Sequence, residues 1–191
     1  YMLVADGTNI TASIGPDGVM LVNSGSTEMS EKVLTTLNQL VNTVMASPMP
    51  NRCFGAHCPG TWGWSSPYVN TFINSPPTPK PIRYIVNTSA AADHVGGNER
   101  LATSGFFPRG GGFGNAVTNP GRAASVIAHE NVLNRMSAPA GQKASAPAAA
   151  WPTDTYFDEL HKLPNFVNGE AIIVYNAPAA NTDGDSLVFF R

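Results

Sequence analysis

One segment near the middle of the chain constrains the fold more than any other. The apolar pair Ile85-Val86 leads into a polar run that ends at Gly96-Gly97. Consecutive glycines permit left-handed backbone conformations and allow a helix to begin close to the end of a strand. The sequence therefore predicts a strand, a tight polar turn and a helix that begins at Glu99 and reaches Thr103.

The polar run itself has a distinctive order of side chains. Residues 87–98 read Asn-Thr-Ser-Ala-Ala-Ala-Asp-His-Val-Gly-Gly-Asn. This order resembles the zinc-binding signature of the metallo-β-lactamase superfamily, which runs Asn-Thr-His-x-His-x-Asp-His-x-Gly-Gly-Asn. Asp93 and His94 match that signature, whereas Ser89 and Ala91 stand where the resemblance implies two zinc-binding histidines.

Three further stretches resemble the same superfamily in the expected order: residues 9–25, 126–132 and 179–186. Asn23 stands in place of an acid in the first, and Asn181 replaces a third zinc-binding histidine in the last. The resemblance implies an α/β (α+β) fold, the αββα sandwich of the metallo-β-lactamases, incomplete at its C-terminal side. We expect one partial domain over residues 1–191, with insertions at about 47–81 and 104–121.

The replaced residues bear directly on metal binding. A hydrolytic zinc needs about three protein ligands and one open position for water. Ser89, Ala91 and Asn181 supply neither an imidazole nor a thiolate, and hydroxyl or amide oxygens are poor zinc ligands. We therefore expect no cofactor at the first metal position of the family and no catalytic residue there.

Asp93 and His94 leave a second interpretation open. Asp93 is expected to accept backbone N–H groups and set the turn, as a scaffold residue. The alternative is a residual zinc site at Asp93 and His94, completed by residues outside this chain, in a metal-dependent hydrolase. The other histidines, His57, His129 and His161, lack ligand spacing and are interpreted as surface or packing residues.

Composition narrows the remaining function classes. The net charge is −2, and no cluster of Lys and Arg is present, which argues against a nucleic-acid partner. No apolar run is long enough to span a bilayer. Charged residues make up only 13% of the chain, a proportion typical of secreted or assembled proteins, and Cys53 and Cys58 could close a small disulfide loop. A periplasmic or secreted location is expected, with a Cys-Cys-His zinc knuckle as the alternative use of the cysteines.

Periodicity predicts several elements. Residues 10–14 and 19–22 are predicted strands joined by the turn Gly15-Pro16-Asp17-Gly18. Apolar residues recur at helical spacing from Glu28 to about Met45. Residues 126–128, 172–175 and 187–190 are further predicted strands, and the last two flank the Asn181 loop.

The insertion at 47–81 contains the large aromatic residues that anchor interfaces, namely Trp62, Trp64, Tyr68 and Phe72. Packing of these aromatics on their own domain is the alternative. Together with the replaced ligands, the insertions favour a non-catalytic structural or interaction subunit. Its expected partners are other protein subunits or the C-terminal half of the domain.

Overall fold

A computed structural model describes residues 1–45, 81–104, 123–138, 143–178 and 180–191. Its strands are β1 (Met2–Ala5), β2 (Thr8–Gly15), β3 (Gly18–Val22), β4 (Ile82–Val86), β5 (Ser125–His129), β6 (Asp154–Tyr156), β7 (Leu160–Lys162), β8 (Ile172–Asn176) and β9 (Ser186–Phe190). Its helices are α1 (Ser30–Met45), α2 (Ala92–Val95), α3 (Asn98–Thr103) and α4 (Glu130–Ser137), and a 3-10 turn covers Ala148–Ala150. Helices and strands alternate along the chain, as expected for a mixed α/β domain.

The first sheet has six strands in the order β1-β2-β3-β4-β5-β6. Strands β1 to β3 form an antiparallel meander, and β3 to β6 run parallel. Asp17 and Gly18 help close the β2–β3 turn, where Gly18 has a φ of +115° that a side chain would disfavour. Parallel neighbours need helical crossovers, which places helices against this sheet.

Helix α1 covers one face of the first sheet. Val33, Leu37 and Val41 recur every four residues and are buried against that face. Ile10 and Leu21 of the sheet lie in the same apolar cluster. The amphipathic pattern in the sequence thus correctly predicted both the helix and its role as scaffold.

The second sheet contains three antiparallel strands in the order β7-β8-β9. It packs on the face of the first sheet that points away from α1, through Met20, Val86 and Ile127 on one side and Ile172 and Val174 on the other. Two sheets packed face to face, with helices outside the first, match the sandwich predicted from the sequence.

A third apolar cluster lies beside the parallel strands. Val132 and Met136 of α4 pack with Val95 and with Ala150 of the 3-10 turn. Ala150, the last residue of the 3-10 turn, is thus buried in this cluster. None of the described helices is long and apolar enough to cross a membrane.

Candidate functional site

The candidate site lies at the rim where the parallel strands end. Asn23 follows β3, Asn87 follows β4 and His129 ends β5. The loop between β8 and β9 reaches the same rim, because the Ser186 N–H donates to the Thr88 carbonyl at 2.9 Å. The carboxyl ends of parallel strands are a frequent location for ligand sites in α/β folds.

Two buried amides fix the loop after β4. Asn87 Nδ2 donates to Asn98 Oδ1 at 3.1 Å, and Asn98 Nδ2 donates to Asn87 Oδ1 at 2.8 Å. Asn98 also donates to the Ala150 carbonyl at 2.9 Å. Both side chains are fully buried, and the pair therefore ties the two ends of the 87–98 segment to each other and to the 3-10 turn.

At Gly96 and Gly97 other atoms of the protein lie too close for a side chain, and the backbone is not left-handed. Gly96 and Gly97 have φ values of −61° and −81°, both in the right-handed region. A Cβ on Gly97 would lie 2.4 Å from the Ser24 carbonyl oxygen, and one on Gly96 would lie 2.6 Å from the Ala92 carbonyl oxygen. These glycines do not use the left-handed conformations that their residue type permits, and the constraint is the small space left around the loop.

Asn23, Thr88 and His94 form a chain of hydrogen bonds. The Thr88 N–H and hydroxyl both donate to Asn23 Oδ1, at 2.9 and 3.0 Å. The Thr88 oxygen also lies 3.2 Å from His94 Nδ1. A proton on His94 Nδ1 would complete this chain, since the Thr88 hydroxyl already donates to Asn23.

Asn23 has a φ of +66°, a conformation that asparagine adopts more readily than most residues. Its own N–H donates to the Val86 carbonyl at 2.8 Å. Asn23, which stands where the resembling sequences have an acid, thus accepts hydrogen bonds that hold the loop after β4.

Asp93 lies in the first turn of α2 and is exposed. Its Oδ2 accepts from the Thr8 hydroxyl at 2.9 Å. Sequence reasoning expected Asp93 to accept backbone N–H groups, but its recorded partner is a side-chain hydroxyl from β2. The expected fixing of the turn falls instead to the Asn87–Asn98 pair and to the His94 carbonyl, which accepts from the Ser24 N–H at 2.8 Å.

Ser89 contacts the β8–β9 loop. Asp185 Oδ2 accepts the N–H groups of Asn181 and Thr182 at 2.8 and 2.9 Å, and Oδ1 accepts the Thr182 hydroxyl. Burial opposes ionisation of Asp185, but the hydrogen bonds from Thr182, the Asn181 N–H and the Ser89 hydroxyl outweigh it and lower the pKa of this carboxyl. Ser89 thus contributes to the low pKa of this carboxyl, while its printed geometry shows the Ala91 N–H donating to its hydroxyl oxygen at 3.4 Å.

The positions that match the metal ligands of the family offer few donors. Ser89 is buried, and Ala91 and Asn181 are exposed. His94 Nε2 and Asp93 Oδ2 lie 3.9 Å apart, whereas two ligands on one tetrahedral zinc are separated by about 3.3 Å. No group of three or more His, Cys, Asp or Glu side chains comes together among the described residues. This donor set does not fit a zinc ion by itself.

His129 has a structural role that its sequence context did not reveal. Its Nδ1 accepts from the Asn131 N–H at 3.2 Å, which caps α4, and its ring meets Tyr156 edge-on with centroids 5.2 Å apart. His161 stacks on Tyr156 with ring centroids 5.4 Å apart. The interpretation as packing residues agrees with these contacts, although only the position of His129 directly before a helix could have indicated its capping role.

Several predicted features lie outside the described residues. These are the cysteines of the expected disulfide, the aromatics of the expected interface and nearly all of the two insertions, namely Cys53, Cys58, Trp62, Trp64, Tyr68, Phe72 and residues 47–80 and 105–121.

Neither a protein-family model nor a curated protein matches this chain. A metallo-β-lactamase from Novosphingobium pentaromativorans is similar in structure with a TM-score of 0.54 and 15% identity, over 96% of this chain and 50% of that protein. A metallo-β-lactamase from Cronobacter sakazakii gives a TM-score of 0.50 and 15% identity, over 93% of this chain and 49% of that protein.

A variant of the flavo di-iron protein of Thermotoga maritima is also similar, with a TM-score of 0.50 and 9% identity over 95% of this chain and 30% of that protein. The chain thus spans about half the length of the two lactamases. At these identities the likeness establishes the architecture alone, and it confirms the fold predicted from the sequence. The chain has the metallo-β-lactamase fold.

Proposed function

We propose that this chain is a non-catalytic protein of metallo-β-lactamase fold, which serves as a structural or interaction subunit of a larger assembly. The observation that carries the proposal is the chemistry at Ser89, Ala91 and Asn181. A hydroxyl, a methyl and a carboxamide occupy the positions where the resembling signature has imidazoles. Zinc sites in proteins use imidazole, thiolate or carboxylate groups.

The contacts of these residues support the same proposal. The Asn181 N–H donates to the Asp185 carboxylate at 2.8 Å, and the Ser89 hydroxyl helps to lower the pKa of that carboxyl. Asn181 therefore takes part in hydrogen bonds within the protein that stabilise the rim. A neutral Asn23 at the place of an acid also avoids the cost of a buried carboxylate without a counter-charge.

Metal analysis with an activity assay tests the non-catalytic part. The purified protein is expected to contain far less than one zinc per chain after dialysis against micromolar zinc, and to leave a thioester, a lactam and a phosphoester intact. Stoichiometric zinc together with turnover of any of these substrates would refute the proposal.

A stricter test restores histidines at the three positions that match the zinc ligands. The triple variant Ser89→His/Ala91→His/Asn181→His is expected to bind zinc more tightly than the parent, because it restores three imidazoles at the matched positions. The triple variant Ser89→Gln/Ala91→Gln/Asn181→Gln is the matched control, since it adds similar bulk without a zinc-binding nitrogen. Equal zinc affinity in the parent and the histidine variant would contradict the assignment of these positions.

The interaction part rests on the aromatic residues of the 47–81 insertion. We propose that Trp62 and Trp64 contribute to a protein interface, as large aromatics commonly do. Trp62→Ser/Trp64→Ser is expected to shift the protein from a large complex to a smaller species on size-exclusion chromatography of a native extract. Trp151→Ser is unsuitable as a control because Trp151 packs in the domain, so Phe166→Ser at an exposed site is used instead.

The proposed extracytoplasmic location depends on the Cys53–Cys58 disulfide. Mass spectrometry of the nonreduced protein is expected to show the loss of two hydrogens relative to the reduced form. A pair of free thiols in protein isolated under alkylating conditions would contradict the disulfide and remove the main support for this location.

A residual metal site is the second candidate, favoured by one observation. In the tautomer with the proton on His94 Nδ1, that N–H donates to the Thr88 hydroxyl oxygen at 3.2 Å, and Nε2 lies 3.9 Å from Asp93 Oδ2. Metal-binding histidines commonly donate their other ring N–H in this way. If residues outside this chain complete the shell, a zinc would supply a polarised water there, and Asp93 and His94 would hold the ion.

This second candidate predicts that His94→Gln abolishes zinc binding by the complete protein while His129→Gln does not. Zinc binding that survives His94→Gln would eliminate it. Folding of each variant is checked by circular dichroism, because His129 caps a helix and its loss lowers stability.

A further inference from the structure

A groove lies between helices α2 and α3 on one side and the segment that leads into the 3-10 turn on the other. Its volume is about 440 Å³, within the range of about 300–1,000 Å³ in which small organic ligands are commonly bound. Ala90 and Ala92 line it, but none of the positions that match the metal ligands of the family does. The groove is therefore distinct from the candidate site at the rim.

The floor of the groove is apolar. Val95 and Ala150 are each 2% exposed, and they belong to the apolar cluster that α4 forms with the 3-10 turn. Ala90 and Ala146, which are partly buried, pack against the same cluster. An aliphatic group that lies on this floor would be removed from water, which favours its binding.

The charges around the groove do not balance. Arg100 donates from Nε and Nη2 to the two carboxylate oxygens of Glu31, and these two charges cancel. The Glu99 carboxylate is exposed and has no recorded ion pair or hydrogen bond with any described residue. No lysine or histidine of the described part of the chain lines the groove. Glu99 therefore leaves one uncompensated negative charge at its edge.

The hydroxyl groups at the groove favour a ligand that donates hydrogen bonds. Each of them already donates its proton to a backbone carbonyl, so only oxygen lone pairs remain for a ligand. A ligand with several N–H groups thus finds acceptors here. The hydroxyls are those of Thr27, Thr103 and Ser145, with distances to the carbonyl oxygens of 3.0, 2.9 and 2.9 Å.

We propose that this groove binds a small organic cation, namely a primary alkylamine in its ammonium form. The ammonium group pairs with the Glu99 carboxylate and donates to the hydroxyl oxygens, while the alkyl chain lies on the apolar floor. An anionic ligand fits poorly, because Glu99 would repel it and Glu31 already accepts from Arg100. A partner protein also fits poorly, because a stable interface uses about 20–30 residues on each side. The inference goes beyond the function proposed for the rim and does not depend on it.

Titration of the whole chain with probes of equal chain length tests the chemistry of the ligand. n-Hexylamine, which is protonated at about pH 7 as a lysine side chain is, is expected to bind saturably and to shift the methyl NMR signals of Ala92 and Ala146. n-Hexanol, which lacks the charge, should bind about fivefold more weakly, and hexanoate more weakly still. Affinity for n-hexylamine equal to or below that for n-hexanol would overturn the proposal.

A charge-removing substitution tests the role of Glu99. Glu99→Gln is expected to lower the affinity for n-hexylamine about fivefold and to leave that for n-hexanol unchanged. Glu130→Gln is the matched control, because Glu130 is also exposed in the first turn of a helix but does not line the groove. Unchanged affinity in Glu99→Gln, or an equal loss in both variants, would overturn the proposal.

A space-filling substitution tests the place of binding. Ala92→Leu is expected to abolish binding of n-hexylamine and n-hexanol alike, because the larger side chain would occupy the groove. Ala149→Leu, at an exposed alanine that does not line the groove, is the matched control and should bind both probes as the parent does. Binding by Ala92→Leu as tight as by the parent would place the probes elsewhere and overturn the proposal.

A short lysine peptide distinguishes a free amine from a lysine side chain of another protein. The peptide acetyl-Gly-Lys-Gly-amide is expected to bind more weakly than n-hexylamine, because its backbone has no place on the apolar floor. Tighter binding of the peptide would assign the groove to a partner protein and overturn the assignment to a small ligand.

Discussion

Asn87 and Asn98 exchange two side-chain hydrogen bonds, at 2.8 and 3.1 Å, in a fully buried position. The pair joins the end of β4 to the start of α3 and spans the loop that carries Ser89, Asp93 and His94. Buried amides that satisfy each other fix a geometry more strongly than apolar contacts, because loss of one leaves the other without a partner. The frame of the candidate site is thus held in part by this amide pair.

Asn98→Ala is expected to lower the free energy of unfolding by about 1–3 kcal/mol, because Asn87 would lose its buried partner. Asn87→Ala should have an effect of similar size, and the double variant should cost less than the sum of the two. Urea unfolding of the four proteins measures this coupling. Asn134→Ala, at an exposed helical position, is the control and should change stability by no more than about 0.5 kcal/mol.

Strictly additive effects of Asn87→Ala and Asn98→Ala would show that the two amides do not act as a pair. The loop geometry would then depend on other contacts, such as those of the His94 carbonyl.

Gly97→Ala is expected to destabilise the protein strongly, because the new Cβ would meet the Ser24 carbonyl oxygen at 2.4 Å. Gly169→Ala is the control, because it introduces backbone strain without a steric clash. Gly169 has a φ of +85° with nothing within 4 Å of its Cβ position. Only the strain cost of roughly 1 kcal/mol applies there. The thermal unfolding midpoint of Gly97→Ala should therefore be well below that of Gly169→Ala. The reverse order would contradict the role assigned to close packing at Gly97.

The sequence predicted those elements whose periodicity is strong. Helix α1 has an apolar residue at each inward position, and β2, β3, β8 and β9 alternate or form short apolar runs between turn residues. The order of residues 87–98 also predicted the strand, turn and helix around the site. These elements depend on the local spacing of apolar and turn residues, and that spacing was sufficient to predict them.

Other features depend on contacts between distant residues and could not be predicted from local pattern. Strands β6 and β7 have three residues each, too few for a period to show. The hydrogen bond from Thr8 to Asp93 joins residues 85 positions apart, and the fit of Gly97 against Ser24 is equally non-local. The residue types at the site could be identified from the sequence, whereas their hydrogen-bond and packing partners could be identified only from the structure.

Asp185→Asn is expected to reduce stability near pH 7 by on the order of 1 kcal/mol, because the ionised carboxylate holds the N–H groups of Asn181 and Thr182. The pKa of Asp185 is lowered in the folded protein, so its contribution is present above the ordinary value of 3.8 and is lost as pH falls through the folded pKa. The difference between parent and variant should therefore shrink in strong acid. This difference is measured from the unfolding midpoints of the two proteins between about pH 7 and pH 2.5.

Asp158→Asn, at an exposed site, is the control for the loss of one surface charge. A difference between parent and Asp185→Asn that stays constant or grows in acid would show that the carboxylate does not act through its ionised form.

Thr88→Val should change the proton position on His94. In the parent, the Thr88 hydroxyl donates to Asn23 Oδ1 and its oxygen lies 3.2 Å from His94 Nδ1, so we predict that the proton of the neutral ring is on Nδ1. Valine keeps the shape of threonine but removes the acceptor, so the proton is expected to move largely to Nε2, whereas Thr88→Ser should retain it on Nδ1. Nitrogen-15 NMR of the neutral imidazole distinguishes the two forms. A parent protein with its proton already on Nε2 would contradict the hydrogen-bond chain, and it would also remove the free lone pair on which a residual metal site depends.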